Sequence, residues 1–524
     1  MGSGLIAETA GRLQSRLSAR VGAETLLHTL ALALILVVGA AVRLWGLTAV
    51  GFNSDEAVYA GQAAAMAHVP VLQDLFPVFR AHPLLFQFVL AMLYTWHFGD
   101  AVGRGAAVAV GLITVLLSYA TGRTLFGRKA GLFAALILAL MPYHVVVSRQ
   151  VLLDGPMTMF ATLALYAMAL FGTSRNARWL IAGAAAVGLT FLAKEIGFIT
   201  IGAVYAFLAL SPKLPLRLRD VAGFTVTLVA VMLPYPLSVT LAGGHGGGTT
   251  RSYLVWQLFR RANHTPEFYL QVVPAAIGWA VLAAAILGLV LLRRERSWRD
   301  TLLLCWILVP LLFFQLWPTK GFQYLLPIAP AVAILAGRML ARWPRRLSRG
   351  RRLHLSPTAL GTALALLVSG SLVPGTLAGI RPAASDLFLA GSGGVPGGRE
   401  VGEWIADHAP IGATYMTIGP SMANIVQYYG HRHALGLSVS PNPLHRNPSY
   451  APIVNPDYQI RIGELQYVVW DAFSASRSSF FSDKLLGYAR KYHGRAVHTE
   501  SVTVPAADGA KVTKPVIVVY EVHP

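Results

Sequence analysis

Three carboxylates are the residues of this chain best placed to do chemistry. Asp55 and Glu56 stand side by side in GFNSDEAVYA, just after the first long apolar stretch, and Asp154 precedes another apolar stretch in SRQVLLDGPMTMF. The chain has only 23 acidic residues, and ionisable groups at membrane depth are costly and tend to be functional or paired. Helix capping is the alternative role for Asp55 and for Asp154, because each precedes a helical pattern. Since both fall on one predicted face of the membrane, we favour a shared site.

Several cationic side chains are predicted on that same face. Transfer of a group from a phosphate-linked donor to a hydroxyl needs a base for the hydroxyl and cations for the phosphate leaving group. Arginine binds phosphate through paired hydrogen bonds, whereas lysine acts as a point charge. The alternatives are solvated loop residues or headgroup contacts, which we favour for Arg251, and snorkelling at span ends for Lys194 and Lys320. The candidate cations are His82, Arg149, Lys194, Arg260, Arg261, His264 and Lys320.

Composition places the chain among membrane proteins. Of its 524 residues, 55% are hydrophobic and 13% are charged, and ordinary soluble domains carry about twice that charged fraction. The net charge of +20 does not predict nucleic-acid binding here, because basic residues of membrane proteins collect in cytoplasmic loops and near anionic headgroups. The single cysteine, Cys305, excludes an intramolecular disulfide framework and a cysteine-based metal site.

Apolar stretches that alternate with basic connections predict about eleven transmembrane helices. Each helix needs about 20 apolar residues, and basic connections such as Arg123–Lys129 and Arg338–Arg352 are expected in the cytoplasm. The N-terminus is then cytoplasmic, the C-terminus lies outside, and a long first outer loop covers about 48–103. Within it, Pro83–Trp96 is too short for a span and predicts an interfacial or re-entrant helix. The predicted spans are 27–47, 103–122, 130–146, 157–173, 179–193, 196–212, 219–241, 271–292, 301–317, 322–341 and 357–377.

The last part of the chain, 381–524, differs from the transmembrane domain predicted over 1–380. QYVVWD and KPVIVVYEV alternate as short strands do, and GREVGEWIADHAP is typical of an amphipathic helix that ends at a proline. These patterns predict a small soluble α/β domain outside the membrane. Because it follows the last span directly, we hypothesise that it covers the mouth of the site and influences the choice of acceptor.

Four segments resemble, in order, those of protein O-mannosyltransferases and bacterial lipid A aminoarabinose transferases, which are GT-C glycosyltransferases. GFNSDEAVYA resembles the Asp-Glu pair that follows their first span, and RAHPLLFQF resembles their His/Lys-Pro-Pro-Leu element, here without the second proline. SRQVLLDGPM resembles their Ser-Arg-x4-Asp-x-Pro segment, and KGFQYLLPIAP resembles their Arg/Gln-Tyr-x-Leu-Pro segment. The resemblance extends over the predicted transmembrane domain, and the C-terminal domain has no comparable match.

The resemblance implies an inverting membrane glycosyltransferase that moves a sugar from a polyprenyl-phosphate donor to an extracytoplasmic hydroxyl of a lipid, glycan or protein. It implies that Asp55 is the catalytic base and that Glu56 supports it or positions the acceptor. Asp154 would orient the acceptor or a divalent cation. Because members of these families differ in metal use, a Mg²⁺ or Mn²⁺ site at Asp55 and Asp154 stays open.

The resemblance also implies the ligands of the donor phosphate. Arg260 or Arg261, together with Lys320 and Tyr324, would hold the phosphate. His82 stands where the aminoarabinose transferases carry lysine and the mannosyltransferases carry histidine.

Two other functions remain open from the sequence. A transporter or flippase for polyprenyl-linked sugars would also use a basic cavity, although such proteins show paired repeats and midplane charges that are not visible here. A receptor or assembly factor would use the C-terminal domain, with YMTIGPSMANIVQYYG as a binding surface, although aromatic residues in such a stretch are more often core.

The Ala/Gly/Leu/Arg-rich composition suits a bacterium, in which the protein would lie in the cytoplasmic membrane.

Overall fold

The computed structural model is mainly helical, with one small sheet at its C-terminal end. It describes residues 24–524 except 212–213, 215, 243–246, 296, 349–355, 382–394 and 507–508. The N-terminal basic segment and parts of the basic connections at 213–219, 293–299 and 338–352 therefore lie outside the described residues.

The described part of the membrane domain is built from helices and their connections. Short 3-10 helices lie at Glu195–Phe198, Arg293–Glu295 and Phe322–Ile328. The α-helices, in chain order, are α1 Glu24–Leu44, α2 Ser54–Met66, α3 Leu72–Leu75, α4 Leu85–Tyr94, α5 Asp100–Phe126, α6 Arg128–Leu140, α7 Pro142–Val147, α8 Asp154–Ser174, α9 Arg178–Ala193, α10 Ile199–Ala209, α11 Leu218–Met232, α12 Pro234–Ala242, α13 Gly247–Leu258, α14 Phe268–Ile277, α15 Trp279–Leu291, α16 Trp298–Leu316, α17 Ala329–Ser348, α18 Pro357–Gly370 and α19 Val373–Ile380.

The predicted number of eleven spans is not confirmed. Every predicted span coincides with helical chain, but only seven helices of the described residues are long and apolar enough to cross a membrane. An eighth span results if α14 and α15, which meet at 92°, are counted together. The three remaining predicted spans, 130–146, 179–193 and 196–212, correspond to shorter helices because the helical chain breaks within or between them. Met141, which precedes Pro142, has an extended backbone conformation, and so does Lys194, which follows α9.

The loop between α1 and α5, residues 45–99, contains three short helices. Of these, α4 has 10 residues, which is too few to span a bilayer. One side of α4 exposes large apolar side chains, including Phe88, Met92 and the adjoining Trp96. This agrees with the predicted interfacial or re-entrant helix.

Glycine residues allow helices α5, α6 and α17 to pack closely. Helix α17 crosses α6 at Gly337, where a Cβ atom would lie 2.6 Å from the Ala130 carbonyl oxygen. A second close approach joins α5 and α6, because a Cβ on Gly131 would lie 2.6 Å from the Tyr119 carbonyl oxygen. Any larger residue would push these helices apart, so glycine is needed at both crossings.

The C-terminal domain is the predicted α/β unit. Its helices are α20 Gly398–His408, α21 Pro420–Gly430, α22 Pro456–Arg461, α23 Ala472–Arg477 and α24 Ser479–Lys491. Its strands are β1 Thr414–Thr417, β2 His433–Gly436, β3 Tyr467–Asp471, β4 Arg495–Pro505 and β5 Lys511–Glu521. The sheet order is β2-β1-β3-β5-β4, with β1 parallel to both neighbours and β5 antiparallel to β3 and β4. The predictions of a helix near 398–408 and of strands in QYVVWD and KPVIVVYEV are confirmed.

Candidate active site

A cavity of about 680 Å³ lies where the 45–99 loop, the ends of the membrane helices and the C-terminal domain meet. Predicted site residues in its wall are Asp55, His82, Lys194, Arg260, His264, Lys320 and Tyr324. The structure thus brings together residues that are separated by up to 269 positions in the sequence. Glu56, Arg149, Asp154 and Arg261 are not among the lining residues of the cavity.

Asp55 lies in the first turn of α2 with its side chain directed into the cavity. The helix cap is Asn53, whose Oδ1 accepts the backbone N–H groups of Asp55 and Glu56, so the capping alternative for Asp55 is wrong. The Asp55 carboxylate forms no hydrogen bond or ion pair within the described part of the chain, and the side chain is exposed to the cavity. Desolvation by the surrounding protein raises the pKa of Asp55, while the positive charges of Lys194 and His82 act against the rise. A carboxylate of this kind is a stronger base than one in free solution.

Glu56 faces the opposite way and is fully buried. Its two carboxylate oxygens bind the Arg104 guanidinium at 2.8 and 2.7 Å. They also accept the backbone N–H groups of Val151 and Asn53. Arg104 in turn donates to the carbonyl oxygens of Leu47, Val50 and Gly51. The structure therefore places Glu56 where it ties α2 to α5 and to the segment before α8, and away from the cavity.

Asp154 lies one layer behind the cavity wall. Its carboxylate oxygens accept from Lys194 Nζ at 3.0 and 2.8 Å, and both side chains are buried. Asp154 begins α8 without capping it, so the capping alternative is wrong here as well. The Lys194 side chain also lies over the Tyr324 ring, 5.1 Å from its centroid. Asp154 thus holds a lysine that lines the cavity, and the lysine is buried but paired.

His82 and Glu195 form a second ionisable pair in the wall. His82 Nδ1 lies 2.7 Å from Glu195 Oε2. The His82 ring packs edge-on against Tyr59 and Tyr253. Lys194 has an extended backbone, and consecutive side chains of extended chain point in opposite directions. Lys194 can therefore face Asp154 while Glu195 faces His82.

Further basic side chains line the cavity from the segments after α13 and α16. Arg260 lies over the Trp256 ring, and His264 stacks on Phe268 with ring centroids 4.0 Å apart. Lys320 Nζ donates to the carbonyl oxygens of Gln315 and Trp317, which end α16. The Lys320 ammonium group therefore stabilises the C-terminal end of α16 as well as lining the cavity.

Two predicted phosphate ligands lie outside the cavity wall. Arg149 donates to the carbonyl oxygens of Val42 and Gly46, at the end of α1, at 3.2 Å in both cases. Arg261 is exposed and is not among the residues that line the cavity. Neither side chain is directed into the site.

Sequence reasoning placed the C-terminal domain at the mouth of the site, but it identified neither the residues that the domain contributes nor Arg80. The domain residues in the cavity wall are Pro420, Ser421, Asn447, Ser449, Tyr450, Phe473 and Arg477. Arg80 is buried in the wall with its guanidinium 5.0 Å from the centroid of the Tyr450 ring. Arg80 stands two residues before His82, and Pro420 and Ser421 stand in YMTIGPSMANIVQYYG. Their place in one wall could not be predicted, because they converge only when the C-terminal domain packs on the 45–99 loop.

The described residues fit a bound metal ion poorly. They include no group of three or more His, Cys, Asp or Glu side chains that could hold a metal. Both oxygens of Asp154, one of the two predicted ligands, already accept from Lys194. A divalent cation would have to displace this buried ammonium, so the side chains present do not support a metal site at Asp55 and Asp154.

Comparisons with known proteins agree with this architecture. A profile of the family described as dolichyl-phosphate-mannose-protein mannosyltransferase matches residues 81–239. The ArnT structure from Cupriavidus metallidurans bound to undecaprenyl phosphate superposes with a TM-score of 0.69 at 17% identity, covering 93% of this chain and 97% of ArnT. The archaeal oligosaccharyltransferase AglB from Archaeoglobus fulgidus superposes with a TM-score of 0.56 at 14% identity, covering 94% of this chain and 74% of AglB. This chain has the GT-C fold.

Curated relatives of known sequence are also similar to this chain, and they are aminoarabinose transferases. The undecaprenyl phosphate-alpha-4-amino-4-deoxy-L-arabinose arabinosyl transferase 1 of Sodalis glossinidius is 28% identical over 334 residues, 59% of this chain and 55% of that protein. The corresponding Pseudomonas aeruginosa transferase is 28% identical over 298 residues, 51% of each chain. The chain thus spans about half the length of the curated relatives that it matches. The predicted resemblance of this GT-C protein to O-mannosyltransferases and aminoarabinose transferases is confirmed. Helices long and apolar enough to cross a membrane make this chain an integral membrane protein, and the comparisons give no support to a transporter.

Proposed function

We propose that this GT-C protein is an inverting glycosyltransferase that moves a sugar from a polyprenyl phosphate to an acceptor hydroxyl. The observation that carries the proposal is the Asp55 carboxylate, which has no side-chain partner among the described residues and faces a cavity lined with cations. A base with no competing partner and a set of positive charges are the two requirements of this reaction. The N-terminus would be cytoplasmic, and the C-terminal domain and the cavity would be extracytoplasmic.

In the proposed reaction Asp55 accepts the proton of the acceptor hydroxyl. The hydroxyl oxygen then forms a bond to the anomeric carbon of the donor sugar from the side opposite the phosphate. The bond between that carbon and the phosphate oxygen breaks, and its electron pair leaves with the polyprenyl phosphate. A single displacement of this kind inverts the anomeric configuration.

Side-chain cations would hold the phosphate as its charge increases. Lys194 is kept in place by Asp154, and Arg260 reaches the same cavity from the segment after α13. Arginine suits the oxygens of a phosphate through paired hydrogen bonds, and Lys194 adds a point charge. The structure of the similar ArnT protein was determined with undecaprenyl phosphate, which makes this lipid phosphate the first donor carrier to test.

Exposed apolar residues next to Arg260 support a lipid-linked donor. Val255, Leu258 and Phe259 all expose more than half of their side-chain surface. Large apolar residues exposed in a cluster are suited to contact with lipid. A polyprenyl chain that lies along this surface would bring its phosphate to Arg260.

The experiment is turnover by the purified protein in lipid with a panel of polyprenyl-phosphate sugars. The panel would include 4-amino-4-deoxy-L-arabinose and mannose donors, with lipid, glycan and peptide acceptors, and wild type would be compared with Asp55→Asn. We expect one donor to be hydrolysed or transferred by wild type and not by a folded Asp55→Asn variant. Binding of polyprenyl phosphate without turnover of any donor and acceptor pair would contradict the proposal and favour a carrier.

A further inference from the structure

Helix α21 of the C-terminal domain places a buried amide against the turn that carries Asp55. Asn424 exposes 1% of its surface. Its Nδ2 donates to Ser54 Oγ at 2.9 Å, and its Oδ1 accepts from Arg80 at 3.3 Å. The Asn424 amide therefore joins two parts of the 45–99 loop, one directly before Asp55 and one in the cavity wall.

The far end of α21 is fixed to the membrane domain by charge-assisted bonds. The Tyr429 hydroxyl donates to Asp100 Oδ2 at 2.6 Å and accepts the Phe52 N–H at 2.8 Å. Arg399, from α20, donates to the same Asp100 oxygen at 2.7 Å. The residue before Tyr429, Tyr428, is buried against the rings of Phe52, Phe76 and Phe98. Because this end is anchored so firmly, the Asn424 amide has a defined position relative to α2.

Asp55 depends on such external support. Its carboxylate has no bond of its own in the described part of the chain, so the position of the carboxylate follows the backbone of the first turn of α2. That turn is held from two sides. From the membrane domain, Gln150 Oε1 accepts from Asn53 Nδ2 at 2.9 Å. From the C-terminal domain, Asn424 binds Ser54.

We infer that Asn424 is a positioning residue through which the C-terminal domain aligns Asp55 and Arg80 in the active site. The inference rests on the proposed function and deepens it, because it makes the C-terminal domain part of the catalytic geometry. A base that is displaced by about 1 Å costs about 100-fold in rate. An amide that holds the turn on one side only is expected to affect the reaction rate more than the binding of the donor.

The test is a double-mutant cycle in the full-length protein in lipid, with Asn424→Ala, Ser54→Ala and the double variant. We expect Asn424→Ala to lower kcat by about 10- to 100-fold with a smaller change in the KM of the donor. If the two residues act through one bond, Ser54→Ala will add little to Asn424→Ala. Multiplicative effects, or a kcat equal to that of wild type, would overturn the inference.

The matched control is Gln427→Ala on the same helix. The Gln427 amide donates to the carbonyl of Ala434 within its own domain, so loss of this bond tests α21 without touching α2. We expect its kcat to match wild type. A loss equal to that of Asn424→Ala would show that general destabilisation of α21 explains both.

Hydrogen exchange separates failure of this inference from failure of the proposed function. We expect Asn424→Ala, and not Gln427→Ala, to speed exchange of the amides in the first turns of α2, in the same lipid as wild type and without any donor. Unchanged exchange in α2 would overturn the inference even if the protein turns over a donor. Faster exchange with no turnover of any donor would retain the positioning contact and reject the glycosyltransferase.

Discussion

Asp55 and Glu56 are neighbours with the same chemistry but opposite surroundings. Consecutive residues of a helix point about 100° apart, so the first turn of α2 presents one carboxylate to the cavity and the other to the protein interior. Asp55 has no partner among the described residues, whereas Glu56 has the Arg104 guanidinium and two backbone N–H groups. The comparison shows that an Asp-Glu pair is not one functional unit. One member is available for chemistry because the other holds the turn in place.

The largest effect is expected from Asp55→Asn. An asparagine keeps the size of the side chain but cannot accept the proton, so turnover should fall by about 100- to 10,000-fold. The thermal unfolding of the variant should match wild type, because Asp55 forms no hydrogen bond or ion pair in the described part of the chain. The measurement is turnover with the donor that the panel identifies. Asp74→Asn is the matched control, since Asp74 is an exposed carboxylate in the same loop. Turnover above a tenth of wild type would contradict Asp55 as the base.

Glu56→Ala should show the reverse pattern. It leaves the Arg104 guanidinium buried without its carboxylate, which costs about 3–5 kcal/mol. Thermal unfolding in detergent should shift clearly to lower temperature, and the yield of folded protein should fall. A Glu56→Gln/Arg104→Met double variant should recover part of the loss, because no charge remains buried. If Glu56→Ala lost turnover while its stability stayed unchanged, the assignment of a catalytic role to Asp55 and a structural role to Glu56 would be wrong.

Arg260 and Arg261 are adjacent in the sequence, and comparing their variants tests which of the two charges belongs to the site. Arg260→Ala should lower kcat/KM by about 10- to 100-fold, since hydrogen bonds to charged groups contribute about 1.5–3 kcal/mol. Arg261→Ala should stay close to wild type, because exposed charges have small effects. Steady-state kinetics with the same donor measure both. Equal losses would mean that the two arginines share the phosphate.

The pH dependence of turnover follows from the environment of Asp55. Desolvation by the surrounding protein raises the pKa of this carboxylate above its ordinary value of 3.8, and only the ionised form can accept a proton. The rate should therefore fall as the pH drops through the raised pKa, by about tenfold per pH unit. Rates measured from acidic to neutral pH would give the pH at which this fall begins. If the rate falls only at or below pH 3.8, the charges of Lys194 and His82 outweigh the desolvation of Asp55.

The smallest effect is expected from chelation of metal ions. In the proposed reaction Lys194, Arg260 and the other side-chain cations balance the phosphate, so EDTA should leave turnover unchanged. The assay is turnover of EDTA-treated protein before and after addition of Mg²⁺ or Mn²⁺. Loss on chelation with recovery by one ion would assign Asp55 to a metal site, as the sequence left open.

Part of the site could be predicted because it depends on local sequence. Asp55, His82 and Tyr324 stand in segments that resemble a known family, Lys194 was a candidate cation at the end of a predicted span, and all four line the cavity. Arg149 was wrongly expected in the cavity because its position in the sequence does not reveal that it binds the end of α1. Asn424 could not be predicted at all. Its stretch contains aromatic residues that pack as core, and its amide matters only because α21 lies against α2.

The sequence by itself determined the membrane location, the apolar helical segments, the strands of the C-terminal domain and the segments that carry the acidic residues. These follow from apolar length, alternation and proline placement, all of which act over a few residues. Only the tertiary structure decided which carboxylate is free, which is paired, and which cations face the cavity. The reason is physical: the role of a charged side chain depends on its partners and burial, and those come from segments that are distant in the sequence, such as Arg104 for Glu56 and Lys194 for Asp154.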